Sequence, residues 1–198
     1  MTLVVDILVE GLLDETVARR LIEHCGHTPG HSFGKKGVNY LRLKAQGFGV
    51  KARYGNPILM LVDFKDTGLE CPPAVVTTWL PQPCTNLLLR VVVPMIESWL
   101  LADREGLAAF LGVSPTLLPT MPETLINPKQ ALVNLARKSP QKSVRAALTP
   151  AKGVSALVGP EYVAALQKFV FQTWDVERAK LSAPSLQRAI TRLQALHR

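Results

Sequence analysis

Apolar residues run from Leu3 to Val9 with a single interruption, Asp6. A β-branched apolar run of this length predicts a buried strand. Glu10-Gly11 reads as a turn, and Asp14 and Glu15 follow as acids in the first turn of a helix, where the helix dipole favours them. Val17, Leu21, Ile22 and Cys25 then share one helical face, which Gly26 closes. His31 to Gly37 is rich in Gly and Lys and reads as a short strand and loop, and Asn39 to Lys51 predicts a basic amphipathic helix. Pro57 to Val62 and Leu87 to Val93 are the next two strands. Turn-rich segments lie between them at Gly68 to Pro73 and around Pro81 and Pro83.

Pro94 stops the third apolar run, and Glu97 to Leu111 predicts one continuous helix ended by Gly112. Beyond Pro115 the pattern changes. Strand signals vanish, prolines recur, and helical periodicity takes over at Gln130 to Arg137, Pro160 to Phe171 and Ser185 to His197. Alternating strands and helices predict a mainly parallel sheet flanked by helices. Residues 1–112 read as an α/β domain, and residues 113–198 as a basic helical extension packed on it.

Composition adds three limits. With 47% hydrophobic and 19% charged residues, a folded core is expected rather than disorder. The apolar runs are far shorter than the roughly 20 residues of a membrane span, and Asp6 and Glu10 break any leader-like start. No membrane association is expected. Cys25, Cys71 and Cys84 have no paired spacing, so free thiols and a cytoplasmic setting are expected. His24-Cys25-x-His27 with His31 invites a zinc reading, but the spacing matches no closed four-ligand pattern. No Walker loop, dinucleotide fingerprint or Ser-His-Asp arrangement is present.

Charge is distributed unevenly. Residues 1–103 hold ten Lys/Arg against ten Asp/Glu, while 104–198 hold thirteen against five and so carry the whole net charge of +8. Acids gather where strands end: Glu10 after the first, Asp63 and Asp66 after the second, Glu97 after the third. With Asp14 they form a candidate set for Mg²⁺ or Mn²⁺, hard ions that take oxygen ligands. Ligands of open α/β sheets bind at that strand edge. Each acid alone fits a loop cap equally well. Two stretches lack acids altogether. One holds Lys35, Lys36 and Arg42; the other holds Lys129, Lys138, Lys142, Arg145 and Lys152. Both are candidate phosphate tracks, with a solvated basic surface as the plain alternative. Gly34-Lys35-Lys36-Gly37 leading into a helix also suits backbone contacts to an anion.

Val9-Glu10-Gly11-Leu12-Leu13-Asp14-Glu15 resembles the Glu-Gly motif that opens Toprim domains. The matching segment of nucleases of the OLD type (overcoming lysogenization defect) carries a second acid shortly after the Glu. Leu61-Val62-Asp63-Phe64-Lys65-Asp66 stands where Toprim domains carry Asp-x-Asp. Met95-Ile96-Glu97-Ser98-Trp99-Leu100-Leu101-Ala102-Asp103 and Ala183-Pro184-Ser185-Leu186-Gln187-Arg188 resemble segments of an uncharacterised bacterial Toprim-like family. The resemblance implies a Toprim-like fold and a metal-dependent nuclease, a hydrolase of DNA or RNA in bacterial defence or a mobile element. Glu10, Asp14, Asp63, Asp66 and Glu97 would hold the metal, and Glu10, Asp63 and Lys65 would act at the scissile phosphate. Lys65 departs from the motif, since an acid is expected there. Two other readings stand beside this one. One is a non-catalytic nucleic-acid or nucleotide-binding module. The other is a subunit that needs an ATPase partner, because OLD-type proteins carry an ATPase and this chain has no P-loop.

Overall fold

The computed structural model describes residues 2–82 and 84–196. Pro83 and His197, which figured in the loop and helix expectations, lie outside the described residues. Two compact units are present: residues 1–96 with 185–198, and residues 97–184.

The first unit is an α/β layer. Its strands are β1 (Val4–Val9), β2 (Thr28–Gly34), β3 (Ile58–Asp63) and β4 (Leu87–Val92). All pair in parallel, in the order β2-β1-β3-β4. Helices α1 (Leu12–His24), α2 (Val38–Tyr54) and α3 (Pro72–Trp79) make the crossovers. Right-handed crossovers dictate their faces. The step from β1 to β2 runs one way along the sheet, and the steps from β2 to β3 and from β3 to β4 run the other way. Helix α1 must therefore cover one face, and α2 and α3 the opposite one. The packing follows this rule. Leu8, Met60, Val62, Leu89 and Val91 form a buried cluster with Leu41 and Ala45 of α2 and Val75 and Trp79 of α3. The alternate positions Ile7, Leu59 and Leu61 point the other way and are fully buried.

Helix α3 is absent from the sequence expectation, which took Pro72 and Pro73 as loop residues. They open the helix, where a missing N–H costs nothing. Asp6, the one polar residue in β1, is satisfied inside the sheet. Its Oδ1 accepts from the His31 N–H at 2.9 Å and from Asn56 Nδ2 at 3.4 Å, at the point where the β1–β2 register shifts. Gly30 lies against this carboxylate, and a Cβ there would collide with Asp6 Oδ1. His27 is likewise structural. Its Nδ1 accepts from the Leu3 N–H, and its Nε2 lies 3.0 Å from the Leu193 carbonyl oxygen.

The second unit is helical, with short 3₁₀ turns at Pro115–Leu117 and Pro122–Thr124. The continuous helix expected over Glu97 to Leu111 is two helices, α4 (Ile96–Ala102) and α5 (Arg104–Leu111). Asp103 causes the break. Its fully buried carboxylate accepts from the Gly106 N–H at 3.0 Å and the Asp175 N–H at 2.8 Å, and pairs with Arg178 Nε at 2.7 Å. A side chain that caps a new helix and takes an ion pair cannot sit mid-helix. The remaining helices are α6 (Pro128–Arg137), α7 (Lys142–Leu148), α8 (Tyr162–Gln172) and α9 (Val176–Ala179). Phe169, Val170 and Trp174 are buried in this unit, and Trp174 Nε1 donates to the Trp99 carbonyl at 3.2 Å.

The chain then returns to the first unit as α10 (Pro184–Gln194). The Ser185 hydroxyl accepts from the Val93 N–H at 3.3 Å, just past the end of β4. Packing thus divides the chain at 96/97 and 184/185, whereas the composition changes near residue 112. Among the described residues no helix is long and apolar enough to cross a membrane.

Candidate functional site

A parallel sheet has one edge where all strands end, and the order β2-β1-β3-β4 reverses direction between β1 and β3. The crevice outside that reversal is where open α/β sheets hold their ligands, because the crossover loops diverge there. Glu10 leaves β1 and Asp63 ends β3 at this place.

Glu10 is partly buried beneath the loops that follow the two strands. Its Oε1 accepts from the Asp63 N–H at 3.0 Å, which fixes the carboxylate between β1 and β3. Burial raises its pKa from an ordinary 4.5 to about 7; the Asp63 N–H opposes the rise, and the negative charges of Asp14 and Asp66 add to it. Asp14 and Asp66 thus both lie near enough to act on Glu10. Asp14 comes from the first turn of α1 and is nearly buried, with Oδ2 against Gly11.

Strand β3 ends at Asp63, and Phe64–Asp66 is a 3₁₀ turn. Strand alternation therefore no longer governs Lys65 and Asp66. Both are exposed, and Asp66 lies close enough to act on Glu10. Asp63 itself has a structural partner: Oδ1 accepts from the Ile96 N–H at 2.9 Å. The Lys65 N–H donates to the Pro94 carbonyl at 2.9 Å, tying the turn to the segment after β4, where the Val93–Pro94 bond is cis.

Glu97 belongs to the second unit. It is 1% exposed, and its Oε1 accepts from the Tyr162 hydroxyl at 3.2 Å and pairs with Lys129 Nζ at 3.4 Å. Its Oε2 is buried without a hydrogen-bond partner. Burial, then the charge of Glu97, pushes the Tyr162 phenol far above its ordinary range. Glu97 is thus a buried acceptor for Tyr162 and for the partly exposed Lys129.

The expected basic tracts divide in the same way. Lys35 pairs with Glu15 at 2.9 Å, and Lys36 Nζ lies 5.4 Å from the centre of the Tyr40 ring. Arg42 is exposed on α2. The Gly-Lys loop has committed part of its backbone: the Lys35 N–H donates to the Val9 carbonyl and the Gly37 N–H to the Glu10 carbonyl. Gly34, at φ +93°, lies so close to the Val9 carbonyl that any Cβ would collide with it. These N–H groups hold the loop against the end of β1 and do not face an anion. In the second unit Arg145 donates to the Ser139 carbonyl, while Lys138, Lys142 and Lys152 are exposed. Missing from the expected set is Arg90, a lone charge within the otherwise apolar β4.

Among the described residues no group of three His, Cys, Asp or Glu side chains is placed to hold a metal ion. Mg²⁺ does not need one, since it keeps several waters and uses one or two carboxylates with a substrate phosphate. Glu10 with Asp14 or Asp66 meets that smaller demand, because a dication would offset the negative charge that both bring beside Glu10. No protein-family model, curated protein or solved structure matches the chain.

Proposed function

We propose that this chain is a Toprim-like nuclease that uses Mg²⁺ or Mn²⁺ to cleave phosphodiester bonds in DNA or RNA. The observation that carries this reading is the acid set at the strand-order reversal, with the Glu10 carboxyl raised to about 7 by burial and by Asp14 and Asp66. A divalent ion there would polarise the phosphate and lower the pKa of a bound water. Asp66 and Asp14 would hold it, and Asp63 orders the turn that presents Asp66. Glu10, half ionised near neutral pH, is suited to accept the proton of the attacking water. Lys65, exposed beside these acids, offers its ammonium to a phosphate oxygen as a point charge.

Lys65 also favours a second reading, a nucleic-acid-binding module without cleavage, since it stands where the Toprim pattern requires an acid. One experiment separates the two. Purified protein is incubated with labelled single-stranded and duplex oligonucleotides in Mg²⁺, Mn²⁺ or EDTA. Cleavage is expected only with metal, and Glu10→Gln and Asp66→Asn are each expected to slow it by about 100-fold or more. Cleavage in EDTA, or at full rate by Glu10→Gln, refutes the proposed mechanism. Binding without cleavage under every metal condition establishes the second reading. Cleavage that appears only on adding an ATPase partner would make the chain one subunit of a larger enzyme.

A further inference from the structure

β4 is the outer strand of the sheet, and its free edge lies in a groove between α3 and α10. Two adjoining cavities make up this groove. One, of about 410 Å³, is walled by Pro72, Val76, Arg90 and Arg188 among others. The other, of about 290 Å³, has Val76, Leu80, Arg90 and Arg192 in its wall. Arg90 and Val76 line both, so the two cavities adjoin along β4.

The charges in this groove are uncompensated. Arg90 is half-buried, its Nε donating to the Leu89 carbonyl at 2.7 Å, and the rest of its guanidinium is left to the groove. Arg188 and Arg192 project from α10, exposed, four residues apart on one face. Among the described residues none of the three has a carboxylate partner. Burial, then Arg192 and Arg188, lowers the Arg90 pKa from its ordinary value. Two exposed arginines on a helix are ordinary surface. A half-buried guanidinium facing two more, with no acid near, is costly unless an anion completes it.

The spacing indicates which anion. One helical turn separates Arg188 from Arg192 by about 6 Å along the axis, comparable to neighbouring phosphates on an extended nucleic-acid strand. In the ladder, Arg90 lies opposite Leu61 and Val92 opposite Asp63. The arginines thus begin about 7 Å back along the strand from the acid-bearing edge, at roughly 3.3 Å per residue. The walls between them are apolar, as a surface must be to receive sugars and base faces.

We propose that the groove along β4 holds successive backbone phosphates of one nucleic-acid strand through Arg90, Arg188 and Arg192, beside the strand-edge acids. This depends on the nuclease reading only for what happens to the strand once held, and binding can be measured without it. The test uses fluorescence anisotropy with a labelled single-stranded oligothymidine and full-length protein in EDTA. Arg188→Gln/Arg192→Gln is expected to raise Kd at least tenfold and to flatten the dependence of log K on log salt by about 1.4, some 0.7 for each single-strand phosphate no longer neutralised. Lys168→Gln, which removes one positive charge exposed on α8 outside the groove, should bind within twofold of wild type. Unchanged affinity in the double variant across salt concentrations overturns the proposal. So does competition by poly-glutamate as effective as by unlabelled oligonucleotide, which would make the groove a site for acidic peptides. Tighter binding of a duplex, lost equally in the variant, would also overturn the single-strand assignment. If the wild type never cleaves yet the double variant still loses binding, the nuclease reading fails and the groove stands.

Discussion

Replacing Glu10 by Gln should stabilise the metal-free protein, and by an amount that depends on pH. The folded protein holds the Glu10 proton up to about pH 7, whereas the unfolded chain releases it near the ordinary 4.5. Between these values the folded state binds more protons, so stability falls as pH rises through the window. A pKa difference of this size corresponds to about 3 kcal/mol, and because the carboxyl is partly open to water the retained cost is about 2 kcal/mol. Gln keeps an oxygen to accept from the Asp63 N–H and carries no charge for Asp14 and Asp66 to repel. Urea unfolding in EDTA at pH 4.5, 6, 7 and 8 measures the effect. The variant and wild type should coincide at the lowest pH. The variant should then gain steadily to about 2 kcal/mol at pH 8. A gap that is the same at pH 4.5 and 8, or a variant less stable at pH 8, would show that the Glu10 carboxylate is not strained by burial and neighbouring acids.

Asp63→Asn preserves an oxygen for the Ile96 N–H, whereas Asp63→Ala removes it. The Asn variant should unfold within about 0.5 kcal/mol of wild type and the Ala variant about 1 kcal/mol earlier. Asp63→Ala should slow metal-dependent cleavage, while Asp63→Asn, which keeps the accepting oxygen, should retain it. An Asn variant that loses cleavage would show that Asp63 meets the metal itself and does more than position the turn. Lys65→Asp should tighten Mn²⁺ binding by calorimetry and weaken oligonucleotide binding, because Lys65 is exposed on the same turn as Asp66. If neither changes, the ammonium has no part in the site.

Three of the four strands were legible because β1, β3 and β4 are short apolar runs bounded by turns. Strand β2 begins at Thr28, ahead of the strand expected from His31, because its polar, Gly- and Pro-containing sequence carries no apolar run. The acids at the ends of β1 and β3 were legible for the same reason, since a parallel sheet brings strand ends to one edge. Pairing was not legible. Nothing local to Glu97 reveals that Tyr162 and Lys129 occupy its Oε1, because those partners lie far along the chain. The break at Asp103 was hidden likewise, since its partner Arg178 is remote and helical periodicity runs straight through the residue. Helix α3 was hidden by local chemistry, because prolines signal a loop more often than a first turn. Arg90 had one local signal, a charge in an apolar strand, and its significance depends on two arginines about a hundred positions later on α10.

The return of α10 to the sheet makes residues 97–184 an insertion between β4 and that helix. During synthesis the four strands are complete once Val92 emerges, yet the helix that supplies Arg188, Arg192 and the Ser185 hydroxyl is translated only after the whole inserted segment. Until then the nascent sheet carries the strand-edge acids without the two α10 arginines. For a nuclease of the kind proposed, the acids that would meet the metal precede the complete strand-gripping groove, and a chain arrested within the insertion would hold one without the other.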